Sequence, residues 1–242
     1  MKYILDKLKK KFDRKIFSKL LKKIDSLSLT NLDEKRRNHI FNYHRNDYKF
    51  NKNQITFIHV PKTGGASLRD YLEKNLENFY IFKKNSEHNP VSLLCSPKDY
   101  KYITFLRDPI DRVYSYYNML KKYDFVPGHH LAKKSLADLL INSFQVKNLY
   151  CQYFSGLPFE NVNKEIYNLA INNLKSFYFV GKFEEYDNSF NYLCKKLNLD
   201  SKNKIHINQN KYNPISEDQK KLIESYNNYD IKLYKEIFDK TS

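Results

Sequence analysis

Two short apolar runs, each leading through a loop into a stretch with helical spacing, constrain the fold of this chain more than any other feature. The first is "QITFIHV" at 54–60; the loop "PKTGGAS" at 61–67 follows it, and then Leu68, Tyr71, Leu72 and Leu76 share one helical face. The second is "YKYITFL" at 100–106, followed by Arg107, Asp108 and Pro109 and then by Ile110, Val113, Tyr117 and Leu120 at helical spacing. Each unit reads as strand, loop, helix. Further strand candidates are "FYIF" at 79–82 and "SFYFVG" at 176–181, with helical segments between and after them. Strands alternating with helices predict an α/β fold in three layers, a central parallel sheet flanked by helices.

A chain of 242 residues accommodates one such domain and a short appendage. The appendage is legible at the start: Ile4, Leu8, Phe12, Ile16, Leu20 and Ile24 recur four apart with lysines opposite, a basic amphipathic helix over residues 1–27. Residues 28–51 are polar and without periodicity, so the predicted division is 1–51 for helix and linker and 52–242 for the domain. A helix of this kind either lies on an anionic membrane as a peripheral anchor or packs its stripe on the domain. Hydrophobic residues at 41% and aromatics at 16% exclude a wholly disordered chain. The formal charge of +16 favours polyanions, whether nucleotides, acidic glycans, nucleic acid or anionic lipid, without choosing among them. Cys95, Cys151 and Cys194 are widely separated and form no C-x-x-C pair, which suggests neither a disulfide framework nor a zinc site. No apolar run reaches the ~18 residues of a membrane span, and the N-terminus lacks the apolar centre of a signal peptide, so a cytoplasmic location is expected.

The first loop has the composition of an anion cradle. Thr63, Gly64, Gly65, Ala66 and Ser67 can turn successive backbone N–H groups toward one point at a helix start, where the helix dipole also favours negative charge. Lys62 adds a positive charge at the entrance, and Arg69 adds more if it faces the site. The common nucleotide loop reads G-x-x-x-x-G-K-[ST], with its lysine after the last glycine; here Lys62 precedes both glycines. A tight strand-to-helix turn is the plainer alternative. In the second loop Asp108 can cap a helix whose first residue is Pro109. Arg107 leaves the strand's carboxyl end, and Ser115 falls with Asp108 and Arg112 on the side of the helix away from the apolar stripe. Arg107 and Ser115 can therefore grip a second anionic group beside the first, at the sheet edge where α/β folds bind ligands. An Arg-Asp ion pair stabilising the helix start is the alternative reading of "RDP".

"HVPKTGGAS" at 59–67 with "FLRDPIDRVYSYY" at 105–117 resembles the paired 5′-phosphosulfate and 3′-phosphate signatures of sulfotransferases, in particular the family related to heparan sulfate 2-O-sulfotransferase and its bacterial relatives. The likeness continues through "NLYCQYFSG" at 148–156, "YFVGKFEEYDNSFNYLCKKLNL" at 178–199 and "YDIKLYKEIF" at 229–238, blocks that mostly report fold. It implies a P-loop-type fold and 3′-phosphoadenosine 5′-phosphosulfate (PAPS) as sulfuryl donor. By this resemblance residues 63–67 hold the 5′-phosphosulfate, Lys62 steadies the bridging oxygen as the sulfuryl group leaves, and Arg107 with Ser115, eight residues on, holds the 3′-phosphate. Ala66 stands where relatives often carry a hydroxyl residue, a change that removes no backbone donor.

Transfer to an alcohol also needs a base, and imidazole titrates in the useful range. In the related enzymes the catalytic histidine lies between the two signatures, after the second strand. His88 lies there, with Glu87 as a helper. His129 and His130 are competitors in a loop that can instead meet the acceptor, and His59 is structural. Lys211 is a further candidate contact for phosphate or acidic acceptor. The expected reaction is in-line sulfuryl transfer to a carbohydrate hydroxyl, without a metal and with no nucleic acid partner. A P-loop kinase and a non-catalytic polyanion-binding protein are the alternatives.

Overall fold

The computed structural model describes residues 54–81, 101–124, 126, 128–156, 161–201 and 213–239. The basic segment 1–51, His88 with Glu87, and Lys211 lie outside the described residues. Four strands, β1 (Ile55–Phe57), β2 (Phe79–Ile81), β3 (Lys101–Leu106) and β4 (Phe179–Lys182), form one sheet in the order β2-β1-β3-β4. Every neighbouring pair is parallel, in the registers Ile55↔Phe79, Ile55↔Lys101 and Ile103↔Phe179. The predicted parallel α/β architecture is therefore present. The first strand is shorter than its apolar run, because beyond Phe57 the pairing to β3 changes character. The Ile58 amide still donates to the Ile103 carbonyl (2.9 Å), but the Ile58 carbonyl accepts from the Thr104 hydroxyl (2.9 Å).

Helices α1 (Gly65–Asn75), α2 (Pro109–Lys122), α3 (His129–Lys134), α4 (Leu136–Asn142), α5 (Leu149–Ser155), α6 (Lys164–Lys175), α7 (Tyr186–Leu197), α8 (Glu217–Tyr226) and α9 (Asn228–Phe238) surround the sheet. The strand β3 explains the layering: residues 102–106 are all buried, so neither face meets water. Ile103 and Phe105 pack with Leu68 and Leu72 of α1 and Phe190 of α7. Tyr102 and Leu106 pack on the opposite face with Tyr150 and Phe154 of α5 and Ala170 of α6. Leu68 and Leu72 are fully buried, worth about 2 kcal/mol each. A third apolar cluster joins α2, α3, α4 and α8 through Val113, Leu120, Leu131, Leu139 and Ile223.

Helix starts follow local chemistry. Asp108 caps α2 by accepting from the Ile110 and Asp111 amides, with Pro109 as first residue; Asn163 caps α6, and Ser216 with Gln219 forms a capping box on α8. The starts of α5 and α9 cap each other. Asp230 accepts from the Tyr150 and Cys151 amides (2.8 and 3.0 Å), and Asn148 accepts from the Tyr229 and Asp230 amides (3.0 and 3.1 Å). Among the described residues no helix is long and apolar enough to cross a membrane.

Candidate functional site

The strand order reverses direction at the centre of the sheet. From β1 the chain moves through α1 to β2 on one side, then crosses to β3 on the other side of β1 and continues to β4. Such a switch point between adjacent parallel strands opens a crevice at their carboxyl ends. Both candidate loops leave from that edge: residues 58–64 follow β1, and Arg107 and Asp108 follow β3.

In the first loop Lys62 has φ 70° and Gly64 φ 77°, both in the left-handed region. This reverses the chain so that α1 starts directly beyond the strand. The Thr63 hydroxyl donates to the Val60 carbonyl (2.9 Å) and Thr63 is fully buried, so this side chain braces the loop and leaves only its backbone to a ligand. Gly64, at the N-cap of α1, has no side-chain cap, and the first turn carries no acidic residue. Among the described residues the start of α1 thus has neither a side-chain cap nor an acidic first turn, unlike α2, α6 and α8 and like the short α3. Both glycines are required by space. A Cβ on Gly64 would stand 2.6 Å from the Phe183 ring, and one on Gly65 would stand 2.1 Å from His59. His59, stacked on Phe57 at 5.4 Å and 6% exposed, is a structural floor to the cradle. Ala66 is exposed and Ser67 half-buried in the first turn. Arg69 is bound by its neighbour Asp70 (Nε 2.9 Å, Nη2 2.8 Å).

The second loop is held by side chains from distant elements. The Tyr150 hydroxyl of α5 donates to the Arg107 carbonyl (2.6 Å) and accepts from the Arg107 amide (3.0 Å). Burial pushes the Tyr150 phenol well above its ordinary range, so it keeps its proton. Glu184, in the 3₁₀ turn Phe183–Glu185 after β4, accepts from the Asp108 amide (2.7 Å) and from the Tyr234 hydroxyl of α9 (2.6 Å). Asp108 caps α2. The Arg107 side chain instead lies over the Phe183 ring, 4.9 Å from its centre, and its Nε is buried without a partner among the described residues. A pocket of about 500 Å³ opens beside it, lined by Arg107, Asp111, Phe183, Glu184, Tyr186 and Asn188 among others.

The two loops sense each other. Burial, and then the charge of Arg107, lower the Lys62 pKa from its ordinary value. Two cations facing one crevice, one lacking a partner for a buried N–H, is an arrangement that a doubly anionic ligand relieves.

The side of α2 opposite its apolar stripe is not open to solvent. Ser115 and Arg112, expected on the face away from the apolar stripe, are 3% and 0% exposed. The reason is that α2 is covered from two directions, by α3 and α8 on one side and by α9 on another. Arg112 instead donates to the Gln145 carbonyl (3.3 Å) and lies over Tyr150. Conversely Ile110, expected in the buried stripe, is only half-buried. His129 Nδ1 engages the Leu120 carbonyl (2.6 Å) near the far end of α2, roughly 16 Å of helix rise from Pro109, which separates it from Arg107. Phe183, Glu184 and Tyr150 are the contributors that sequence reasoning assigns to fold. The available signal was the position of "KFEEY" directly after a strand, since strand ends at one edge share a crevice.

A model of the sulfotransferase family matches residues 46–239, a span that includes both loops and the turn after β4. No curated protein matches the chain.

Proposed function

The chain belongs to the sulfotransferase family, and from that premise we propose that it transfers the sulfuryl group of PAPS to a carbohydrate hydroxyl. The observation that carries the donor assignment is the pair of cationic loops on adjacent strand ends, with the Arg107 Nε buried and unpartnered beside Phe183. An anhydride donor with a 3′-phosphate fits both loops. Backbone N–H groups of residues 63–67 and the open end of α1 take the 5′ side, and the Arg107 guanidinium takes the 3′-phosphate, with Ser115 as its companion.

The donor supplies an activated sulfur–oxygen bond. The chain's own residues do the rest by positioning and electrostatics. His88 accepts the proton of the acceptor hydroxyl as that oxygen bonds to sulfur, while the bond from sulfur to the 5′-phosphate oxygen breaks. Lys62 faces the charge that grows on that oxygen; its ammonium, disfavoured by burial and by Arg107 in the ligand-free protein, is favoured once a phosphate stands opposite. The products are a sulfate ester and adenosine 3′,5′-bisphosphate. The carbohydrate acceptor rests on the family resemblance, and the charge of +16 suits an acidic glycan or a cell-surface polysaccharide or glycolipid precursor. Such a precursor would be met at the cytoplasmic face of the membrane, where residues 1–27 act as a peripheral anchor.

Calorimetric titration with adenosine 3′,5′-bisphosphate and with 5′-AMP tests the donor. Wild-type protein is expected to prefer the bisphosphate by more than about tenfold, the worth of one charge-assisted contact, and Arg107→Ala to lose that preference. Equal binding of the two nucleotides by wild type would remove PAPS as the donor.

A further inference from the structure

The two anion loops share a single wall, the ring of Phe183. One edge of the ring stands 2.6 Å from the position of a Cβ on Gly64, so it presses on the backbone of the first cradle. Its face carries the Arg107 guanidinium at 4.9 Å. The ring is itself fixed. Glu184, the next residue, is bonded to the Asp108 amide and the Tyr234 hydroxyl, and Tyr186 packs edge-on against Phe183 at 6.3 Å. The guanidinium's position relative to the first loop is therefore set by an aromatic spacer, and its Nε is left without a hydrogen-bond partner that would compete for it among the described residues.

We propose that Phe183 is a positioning residue that sets the separation between the Gly64 cradle and the Arg107 guanidinium, and thereby sets discrimination for a nucleotide anionic at both its 5′ and 3′ positions. The inference rests on the donor reading above. An aromatic face holds a guanidinium by its quadrupole and its flatness; an aliphatic side chain of similar bulk supports the cradle but lets the arginine wander.

The test is the ratio of affinities for adenosine 3′,5′-bisphosphate and 5′-AMP, measured by calorimetry on the full chain with folding checked by circular dichroism. Phe183→Leu and Phe183→Met are both made, so that failure of one to fold leaves the other. The ratio is expected to fall about tenfold in either, to be retained in Phe183→Tyr, and to show no further fall when Phe183→Leu is added to Arg107→Ala. A purely structural role lowers both affinities together and leaves the ratio unchanged, which overturns the proposal, as does an undiminished effect in the Arg107→Ala background. Wild type that fails to separate the two nucleotides overturns the donor reading and this inference with it; wild type that separates them while the aliphatic variants do so equally well overturns this inference alone.

Discussion

Lys62 combines a left-handed backbone, φ 70°, with a half-buried ammonium that shares its surroundings with Arg107. Each feature costs stability in the ligand-free fold, and such costs concentrate where a chain must hold an incoming charge. The folded pKa lies below the ordinary 10.5, so the charged form is disfavoured by folding. This cost is fully present below the folded pKa and is relieved as pH rises through it toward the unfolded value, because there the unfolded chain holds the proton more firmly. Lys62→Met is therefore expected to raise the melting temperature of the ligand-free protein at pH 7 by about 2 °C, with the gap to wild type narrowing as pH rises toward 10. Thermal unfolding followed by circular dichroism across that range measures it; a variant less stable than wild type at pH 7 would contradict the electrostatic account. At this scale the left-handed turn at Gly64 is legible in the sequence, as is the Asp108 cap with Pro109 behind it, since each depends on residues within one turn. That Phe183 fills the space above Gly64 is not legible, because that contact joins distant parts of the chain.

Helix α5 shows how an element far from either motif governs the site. Its start is fixed by Asp230 of α9, whose carboxylate oxygens accept from the Tyr150 and Cys151 amides, and this orientation delivers the Tyr150 hydroxyl to both backbone groups of Arg107. Removing that hydroxyl leaves an N–H and a carbonyl without their partner in a partly buried setting. Tyr150→Phe is expected to cost about 1–3 kcal/mol in urea unfolding and to weaken adenosine 3′,5′-bisphosphate binding severalfold, since the Arg107 backbone loses its brace. Urea titration and calorimetry report the two effects; unchanged nucleotide affinity would show that Glu184 and the Asp108 cap hold the loop unaided. The periodicity of α2 predicted its apolar stripe through Val113, Tyr117 and Leu120 correctly, whereas Arg112 was expected on the opposite side and is fully buried. Period identifies one buried face of a helix. It cannot report that a second neighbour, here α9, covers another.

At the scale of the whole molecule the charge of +16 is an asymmetry that the folded site uses only in part. Many lysines lie in residues 1–27, whose apolar positions recur four apart. If this segment holds the protein at an anionic surface, deleting residues 1–27 abolishes co-sedimentation with vesicles containing phosphatidylserine and leaves bisphosphate affinity within about twofold. Full-length binding to such vesicles should also weaken as salt is raised, because screening shortens the reach of the lysines. Vesicle binding that survives the deletion would place the membrane contact on the domain or rule out the segment's role.

By itself the amino-acid sequence determined the parallel α/β class, the two strand-loop-helix units and the identity of the cationic loops, because each is written in residues close enough to act on one another through local backbone geometry. Only the tertiary structure decided which strands are neighbours, that the loops after β1 and β3 open on one crevice, and that Phe183, Glu184 and Tyr150 brace it. The physical reason is that crossovers bring together residues whose separation along the chain carries no information about distance. A ring that presses on Gly64 and carries Arg107 becomes visible only once the sheet order is known.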